Sequence, residues 1–322
     1  MKKATVALLC GALSIGLAHA QTAATFPSKP LRVIVPYPPG GGSDTIVRPL
    51  AQRMSENLKQ QVVIDNRGGA SGNIGMELAA KAPPDGHTIV FALTAQLAVN
   101  PALFRKIPYD PVKDFDPITL LATGPYVLVV HPSLPVKSLK ELIALARAKP
   151  GQIVYASSGN GSGGHLANEL LNSMAKVKML HVPYKGGGPA LVDLLAGNVQ
   201  VLFATWVSSR AHIQSGRIRA LAVSTAKRLS GADIPTMAEA GLPGYDAGVW
   251  YAFLAPAGTP KDIVAKLSAE ILRALNHPEY QALLAKAAIE PVGSTPEELS
   301  RYMKSELVKW AKVVRDANVQ VD

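Results

Sequence analysis

The stretch Leu31-Arg32-Val33-Ile34-Val35-Pro36-Tyr37-Pro38-Pro39-Gly40-Gly41-Gly42-Ser43-Asp44 joins an apolar run to a helical pattern that begins at Thr45. Its spacing predicts a strand over Leu31 to Val35, a glycine-rich turn, then a helix with Val47, Leu50, Ala51, Met54 and Leu58 on one face. Glycines let the backbone turn tightly and leave its N–H groups uncovered. A helix N-terminus adds unpaired donors and about half a unit of positive charge. Such a turn is either an anion site for a phosphate or carboxylate, or a plain tight turn with Ser43 or Asp44 as the helix cap.

The pattern recurs. Arg67-Gly68-Gly69-Ala70-Ser71-Gly72-Asn73 follows the apolar run Val62 to Ile64. Ser157-Ser158-Gly159-Asn160-Gly161-Ser162-Gly163-Gly164 follows Ile153 to Ala156, and Lys185-Gly186-Gly187-Gly188 follows Met179 to Val182. Each ends a strand-like run and precedes a helix-like one. In open α/β sheets, ligands sit beyond the carboxyl ends of strands. Several glycine loops are therefore expected to converge on one cleft.

The first twenty residues read as a secretory signal peptide: Lys2 and Lys3, an apolar stretch from Ala4 to Leu17, and the small-residue site Ala18-His19-Ala20 before Gln21. The apolar stretch is shorter than the roughly 20 residues a membrane span needs. The single cysteine, Cys10, lies inside this segment, so the mature chain is expected to hold no disulfide and no thiolate metal site. Loss of Lys2 and Lys3 lowers the formal charge from +10 to +8. No dense Lys/Arg run or basic–aromatic alternation accompanies that charge, which argues against nucleic acid as a partner. The length suggests two domains of ordinary size.

Strand and helix signals alternate, which argues an α/β fold with largely parallel sheets. Further strands are expected over Thr88 to Ala92, Ile118 to Ala122, Tyr126 to Val130 and Arg219 to Val223. Capping boxes at Ser138–Glu141 and Thr295–Glu298 mark helix starts, and a short one at Thr236–Glu239 follows a loop with Pro235. Gly197 sits where a helix from about Pro189 should stop. The last third turns helical, with helices from Thr259-Pro260 through Leu275 and from Thr295-Pro296 onward.

Catalytic and cofactor motifs are largely excluded. Gly159-Asn160-Gly161-Ser162-Gly163-Gly164 matches G-x-G-x-x-G, but no acid stands about 20 positions later, where a dinucleotide site needs one. No phosphate-loop motif and no G-x-S-x-G occur. The histidines form neither an H-x-x-x-H nor an H-E-x-x-H pair, so no metal is expected. A hydrolase using Ser43, Ser162 or His165 is the alternative of another class; it would show turnover rather than saturable binding. His165, opening a helix after a glycine loop, reads either as a ligand contact or as helix-end packing. Lys185 reads as a ligand partner or as a solvated cation. Trp206 and Trp250 read as core or cleft wall.

These residues together resemble a known family. Pro36 through Asp44 is similar to the opening motif of the Bug receptors, the periplasmic solute-binding proteins of tripartite tricarboxylate transporters. So is Val63-Ile64-Asp65-Asn66-Arg67-Gly68-Gly69-Ala70-Ser71-Gly72-Asn73-Ile74-Gly75. The likeness continues in order through Pro84-Asp85-Gly86, Pro108-Tyr109-Asp110, Tyr155-Ala156-Ser157, His181 to Gly186, Arg219 to Val223 and Ala255 to Pro260.

The resemblance implies a two-lobed α/β periplasmic binding fold, each lobe a sheet flanked by helices, with the ligand in the cleft between them. Lobe 1 is expected over residues 21–124 and 246–322, and lobe 2 over 125–245. The ligand is expected to be a small carboxylic acid, the partners the membrane subunits of such a transporter, and the protein a monomer without catalysis or cofactor; a sensing role is the variant. The candidate ligand-binding residues are Tyr37, Gly41, Gly42, Ser43, Asp44, Thr94, Gln96, Ser158, Gly161, Ser162, His165, Tyr184, Lys185, Gly186 and Thr205. One departure stands out. After Val201 to Phe203 many relatives carry an acid or amide, whereas this chain reads Ala204-Thr205-Trp206. The missing acceptor for a ligand ammonium favours a dicarboxylate, or an aromatic acid near Trp206 or Trp250, over an amino acid.

Overall fold

Strands buried on both faces need cover from both sides, and the chain supplies it by forming two sheets with helices on each face. The computed structural model describes residues 26–40, 42–229 and 231–316; the expected signal peptide and Gly41 lie outside them. The chain runs β1 (Leu31–Val35), α1 (Gly42–Leu58), β2 (Val62–Asn66), α2 (Asn73–Ala80), β3 (Thr88–Leu93), α3 (Asn100–Leu103), β4 (Phe115–Gly124) and β5 (Tyr126–Val130). Then come α4 (Leu139–Ala148), β6 (Val154–Ser157), α5 (Gly163–Ala175), β7 (Leu180–Pro183), α6 (Gly187–Ala196), β8 (Val201–Thr205), α7 (Trp206–Gln214) and β9 (Arg219–Val223). The last third holds β10 (Val249–Pro256), α8 (Lys261–Leu275), α9 (Pro278–Lys286), β11 (Glu290–Pro291) and α10 (Pro296–Asp316). A 3-10 turn over Ala70–Gly72 leads into α2, and a π-helical turn over Ala95–Val99 leads into α3.

The first sheet has the order β11-β4-β10-β3-β1-β2, the second β7-β6-β8-β5-β9. Both are mixed rather than largely parallel. In the first, β1 pairs in parallel with β2 and β3, while β10 runs antiparallel to β3 and β4. In the second, β6 is parallel to β7 and β8, while β5 is antiparallel to β8 and β9. The difference comes from the two passages between sheets. Antiparallel neighbours need no helical crossover. The chain leaves β4, passes Pro125 and enters β5 directly; it returns from β9 through residues 224–248 into β10, in the middle of the first sheet.

Each sheet buries both faces. Leu31, Val33 and Val35 pack with Ile46, Leu50 and Met54 of α1 and with Ile263, Leu267 and Ile271 of α8. Ile34, Val90 and Ala92 face α2 and α10, through Met76, Leu299, Met303 and Trp310. In the second sheet the period of two sends Val127 and Val129 toward Ala190 and Leu194 of α6, and Leu128 and Val130 toward Leu139 and Leu166 of α4 and α5. Local signals hold the ends. Ser138 Oγ accepts from the Glu141 N–H at 3.2 Å, and Thr295–Glu298 forms a reciprocal capping box at α10; the same reciprocal bonds at Thr236–Glu239 close a turn that no helix follows.

Candidate functional site

The glycine turn after β1 is shaped from within by Asp44. Its carboxylate accepts the Gly40 N–H at 2.6 Å and Asn66 Nδ2 at 3.0 Å, and pairs with Arg48 Nε at 3.2 Å. Asn66 also donates to the Tyr37 carbonyl at 3.1 Å and accepts from Arg48. Burial raises the Asp44 carboxyl, but the bonds from Asn66, Gly40 and Arg48 outweigh it and hold the group below the usual carboxylate range. Asp44 is therefore committed to the turn. Ser43 is buried beside it, and Gly42 opens α1. The first turn of α1 leaves backbone donors without intrahelical partners.

That first turn borders a cavity of about 200 Å³. Gly40, Gly42 and Thr45 meet Gly124 and Pro125 of the first passage and Thr205, Trp206, Val207 and Ser208 at the β8–α7 junction; Ile46, Val249, Tyr251, Ala287 and Ile289 line the rest. None of the described residues lining it is charged. Thr205 Oγ1 and Ser208 Oγ lie 2.9 Å apart at its polar side. Ala204 does not line it: β8 turns Ala204 toward Val127, Ala156 and Leu194, and its exposure is 6 %. Trp206 lines it, with the Arg210 guanidinium 6.0 Å from its ring centre. Trp250 is core, its indole N–H donating to Glu306 at 3.0 Å.

The Ser157–Gly164 loop stands on the second sheet. Ser162 caps α5, accepting from the His165 N–H. Ser158 is exposed and Gly161 is buried. Gly161 holds a φ of 73°, and a side chain there would meet Leu103 at 2.5 Å. Ser71 Oγ donates to the Asn160 carbonyl at 3.1 Å, so the loop touches the first sheet's second glycine loop. The Ser71 carbonyl is gripped by the amides of Gln96 and Asn100 at 2.9 and 3.0 Å. His165 is 4 % exposed, and its Nδ1 accepts the Gly161 N–H at 3.1 Å.

The other candidates divide. Gln96 donates to the Tyr37 hydroxyl at 3.0 Å and accepts from the Leu93 N–H; Thr94 Oγ1 accepts from the Trp250 N–H at 2.9 Å. The Tyr184 hydroxyl donates to Asp193 at 2.6 Å, a bond that raises its pKa to about 12. Gly186 precedes α6, while Lys185 and Thr205 are exposed. Two tyrosines absent from the sequence-based set join the halves. Tyr251 lines the cavity, and the Tyr126 hydroxyl lies against Gly163 at the start of α5. Burial raises both, and the neighbouring phenols, Tyr37 among them, raise them further. The one sequence signal for Tyr126 is its place directly after Gly124-Pro125.

Burial holds His165 at about 3, with the His181 charge adding to it, and burial holds His181 at about 4. Unfolded imidazoles titrate near about 6.5. Between about pH 6.5 and pH 4 the unfolded chain therefore binds more protons than the folded one, and stability falls as the solution is acidified. Melting curves should show the midpoint dropping across that window, and His165→Asn should shrink the drop. An equal drop in the variant would assign the acid sensitivity elsewhere.

Two sheets joined by two passages, with the first glycine turn and the β8–α7 junction meeting at an uncharged cavity, make a two-lobed solute-binding protein; the other glycine loops do not line that cavity. The sequence profile of the tripartite tricarboxylate transporter family receptor matches residues 46–319. Protein BugT of Bordetella pertussis is 38% identical over 308 residues, covering 95% of this chain and 94% of BugT. Among solved structures, Rpa4515 of R. palustris, determined with adipate, superposes with a TM-score of 0.85 at 38% identity, over 92% of this chain and 100% of that one. The periplasmic binding protein BugD gives 0.83 at 32% identity, over 92% and 100%. MatC of Rhodopseudomonas palustris, with bound malate, gives 0.82 at 34% identity, over 90% and 100%. The chain belongs to the tripartite tricarboxylate transporter family receptors. It is a solute-binding receptor and not an enzyme. Among the described residues no cluster of His, Cys, Asp and Glu could hold a metal, and no helix is long and apolar enough to cross a membrane.

Proposed function

We propose that this receptor binds a small dicarboxylate between its lobes and presents it to the membrane subunits of a tripartite tricarboxylate transporter, after export with cleavage near Ala20. The observation that carries the ligand class is the uncharged cavity at the N-terminus of α1. Backbone donors and the helix dipole favour an anion there. No acid among the described lining residues could pair with an ammonium group, and the nearby Asp44 is already spent on Gly40, Asn66 and Arg48. The adipate and malate bound by the two R. palustris relatives support the same class.

In this reading residues 21–124 with 246–322 form one lobe and 125–245 the other. Gly41, Gly42 and Thr205 flank the ligand, with Tyr37 behind the turn. Ser158, Gly161 and Ser162 approach from the second lobe, and Tyr184, Lys185 and Gly186 lie beyond them. Closure of the lobes excludes water and creates the surface the transporter reads.

Calorimetry and melting curves on residues 21–322 test it, with adipate, malate, succinate, citrate, benzoate, aspartate, glutamate and neutral sugars. A ligand at about 100 times its dissociation constant adds roughly 2.7 kcal/mol, a rise of a few degrees. Dicarboxylates should bind more tightly than aspartate or glutamate. A response to sugars alone would defeat the proposal. Gly42→Val sharpens it: Gly42 has open space around its Cβ direction and needs no positive φ. The variant should fold normally yet lose about tenfold in affinity, roughly 1.4 kcal/mol. Undiminished affinity would reduce the turn to a structural one.

A further inference from the structure

The Ser157–Gly164 loop is fastened to a pair of histidines, His165 of the candidate set and His181 of β7. The His165 and His181 rings stack with centroids 4.0 Å apart and planes 13° apart. His165 Nδ1 takes the Gly161 N–H at 3.1 Å, and His181 Nε2 lies 2.7 Å from Ser157 Oγ. Ser157 Oγ in turn accepts the Gly159 N–H at 3.2 Å. Three loop residues are thus held by the pair, while the Asn160 carbonyl accepts from Ser71 and Leu103 leaves no room for a side chain at Gly161. We propose that His165 and His181 are positioning residues for ligand binding: a stacked, neutral imidazole pair that holds this loop in its anion-receiving shape. The proposal rests on the carboxylate-receptor reading and adds the device that supports its second loop.

The bond from Gly161 requires Nδ1 of His165 to be unprotonated, since only a bare ring nitrogen accepts. The surroundings keep the pair neutral. Tyr155 stacks on His181 at 4.8 Å and gives its hydroxyl to Glu169. Glu169 also accepts from Asn172 at 3.2 Å, and burial raises its carboxyl. Two cations at this separation in a buried site would repel strongly, which agrees with the low values of both rings. A charged imidazole would attract the ligand anion but release Gly161. The arrangement forgoes that attraction for a fixed loop, and binding should not depend on histidine titration near neutral pH.

The test uses residues 21–322, adipate as the probe, and ¹⁵N NMR of the imidazoles. His165 Nδ1 should show the unprotonated, hydrogen-bonded signal from pH 8 to pH 6, across which an ordinary imidazole titrates at about 6.5. The adipate dissociation constant should stay constant over that range. His165→Leu, which removes the acceptor for Gly161, should weaken adipate binding about tenfold. His165→Asn, whose Oδ1 can accept at nearly the same point, should stay within about threefold. A His165 signal that titrates with affinity following it, or a His165→Leu variant that binds as tightly as the wild type, would overturn the proposal. If His165→Leu does not fold, the wild-type ¹⁵N signals and the His165→Asn affinity decide. A wild type that gives no heat with adipate or malate would instead defeat the carboxylate reading, a result the variants do not imitate.

Discussion

Glu306→Ala should lower the unfolding free energy by about 3 kcal/mol, and the melting temperature by about 5 °C. Glu306 is 6 % exposed on α10. One oxygen accepts two indole N–H groups, from Trp250 at 3.0 Å and Trp310 at 2.9 Å; the other accepts Lys309 Nζ at 3.0 Å. Truncation leaves two buried donors without a partner, at about 1–3 kcal/mol each, and opens a small void. Glu306→Gln keeps an oxygen able to accept both indoles, so it should cost less than half as much. Chemical denaturation followed by tryptophan fluorescence reads this directly, because two of the three tryptophans touch the carboxylate. A Glu306→Ala variant as stable as the wild type would mean that water replaces the carboxylate and that the contact is incidental.

The contact matters for architecture as well as stability. Trp250 belongs to β10, the strand with which the chain re-enters the first sheet, and Tyr302 of α10 packs edge-on against it at 5.3 Å. A single acid thereby ties the C-terminal helix to the strand that the second passage enters. Loosening it should blunt cooperativity before it alters the cavity, since Glu306 does not line that space.

How far the sequence could carry these conclusions depends on the range of each interaction. The turn at Gly40–Asp44, the loop at Ser157–Gly164 and the caps at Ser138, Thr236 and Thr295 are local, so residue type and spacing reveal them. β10 escaped because all eight of its residues are buried. A continuous apolar run carries no alternation to distinguish strand from buried helix. Its antiparallel insertion makes the first sheet mixed, as β5, antiparallel to β8 and β9, does the second. The role of Asp44 depends on Asn66, supplied by β2, and no spacing rule links them. His165 and His181 meet because β6 and β7 pair with Tyr155 opposite His181. Tyr126 and Tyr251 come together only when the two passages lie side by side.

Ala204→Asp separates what the sequence suggests from what the fold dictates. Read along the chain, Ala204 stands beside Thr205, and an acid there would be expected to repel the ligand. On the strand, successive side chains point to opposite faces. Thr205 borders the cavity, whereas Ala204 lies in the apolar layer with Val127, Ala156, Ala190 and Leu194. A carboxylate in that layer must either take up a proton or remain an unpaired buried charge. The added atoms must also displace close-packed neighbours, at a further 1–3 kcal/mol or so. We expect Ala204→Asp to lose at least about 3 kcal/mol of stability, while its folded fraction binds adipate as the wild type does. Thr205→Asp should do the reverse: little change in melting, because the site is exposed, and weakened adipate binding from like-charge repulsion. Melting curves with calorimetry on both variants decide it. A stable Ala204→Asp with impaired binding would put that side chain in the cleft and overturn the assignment of β8's faces.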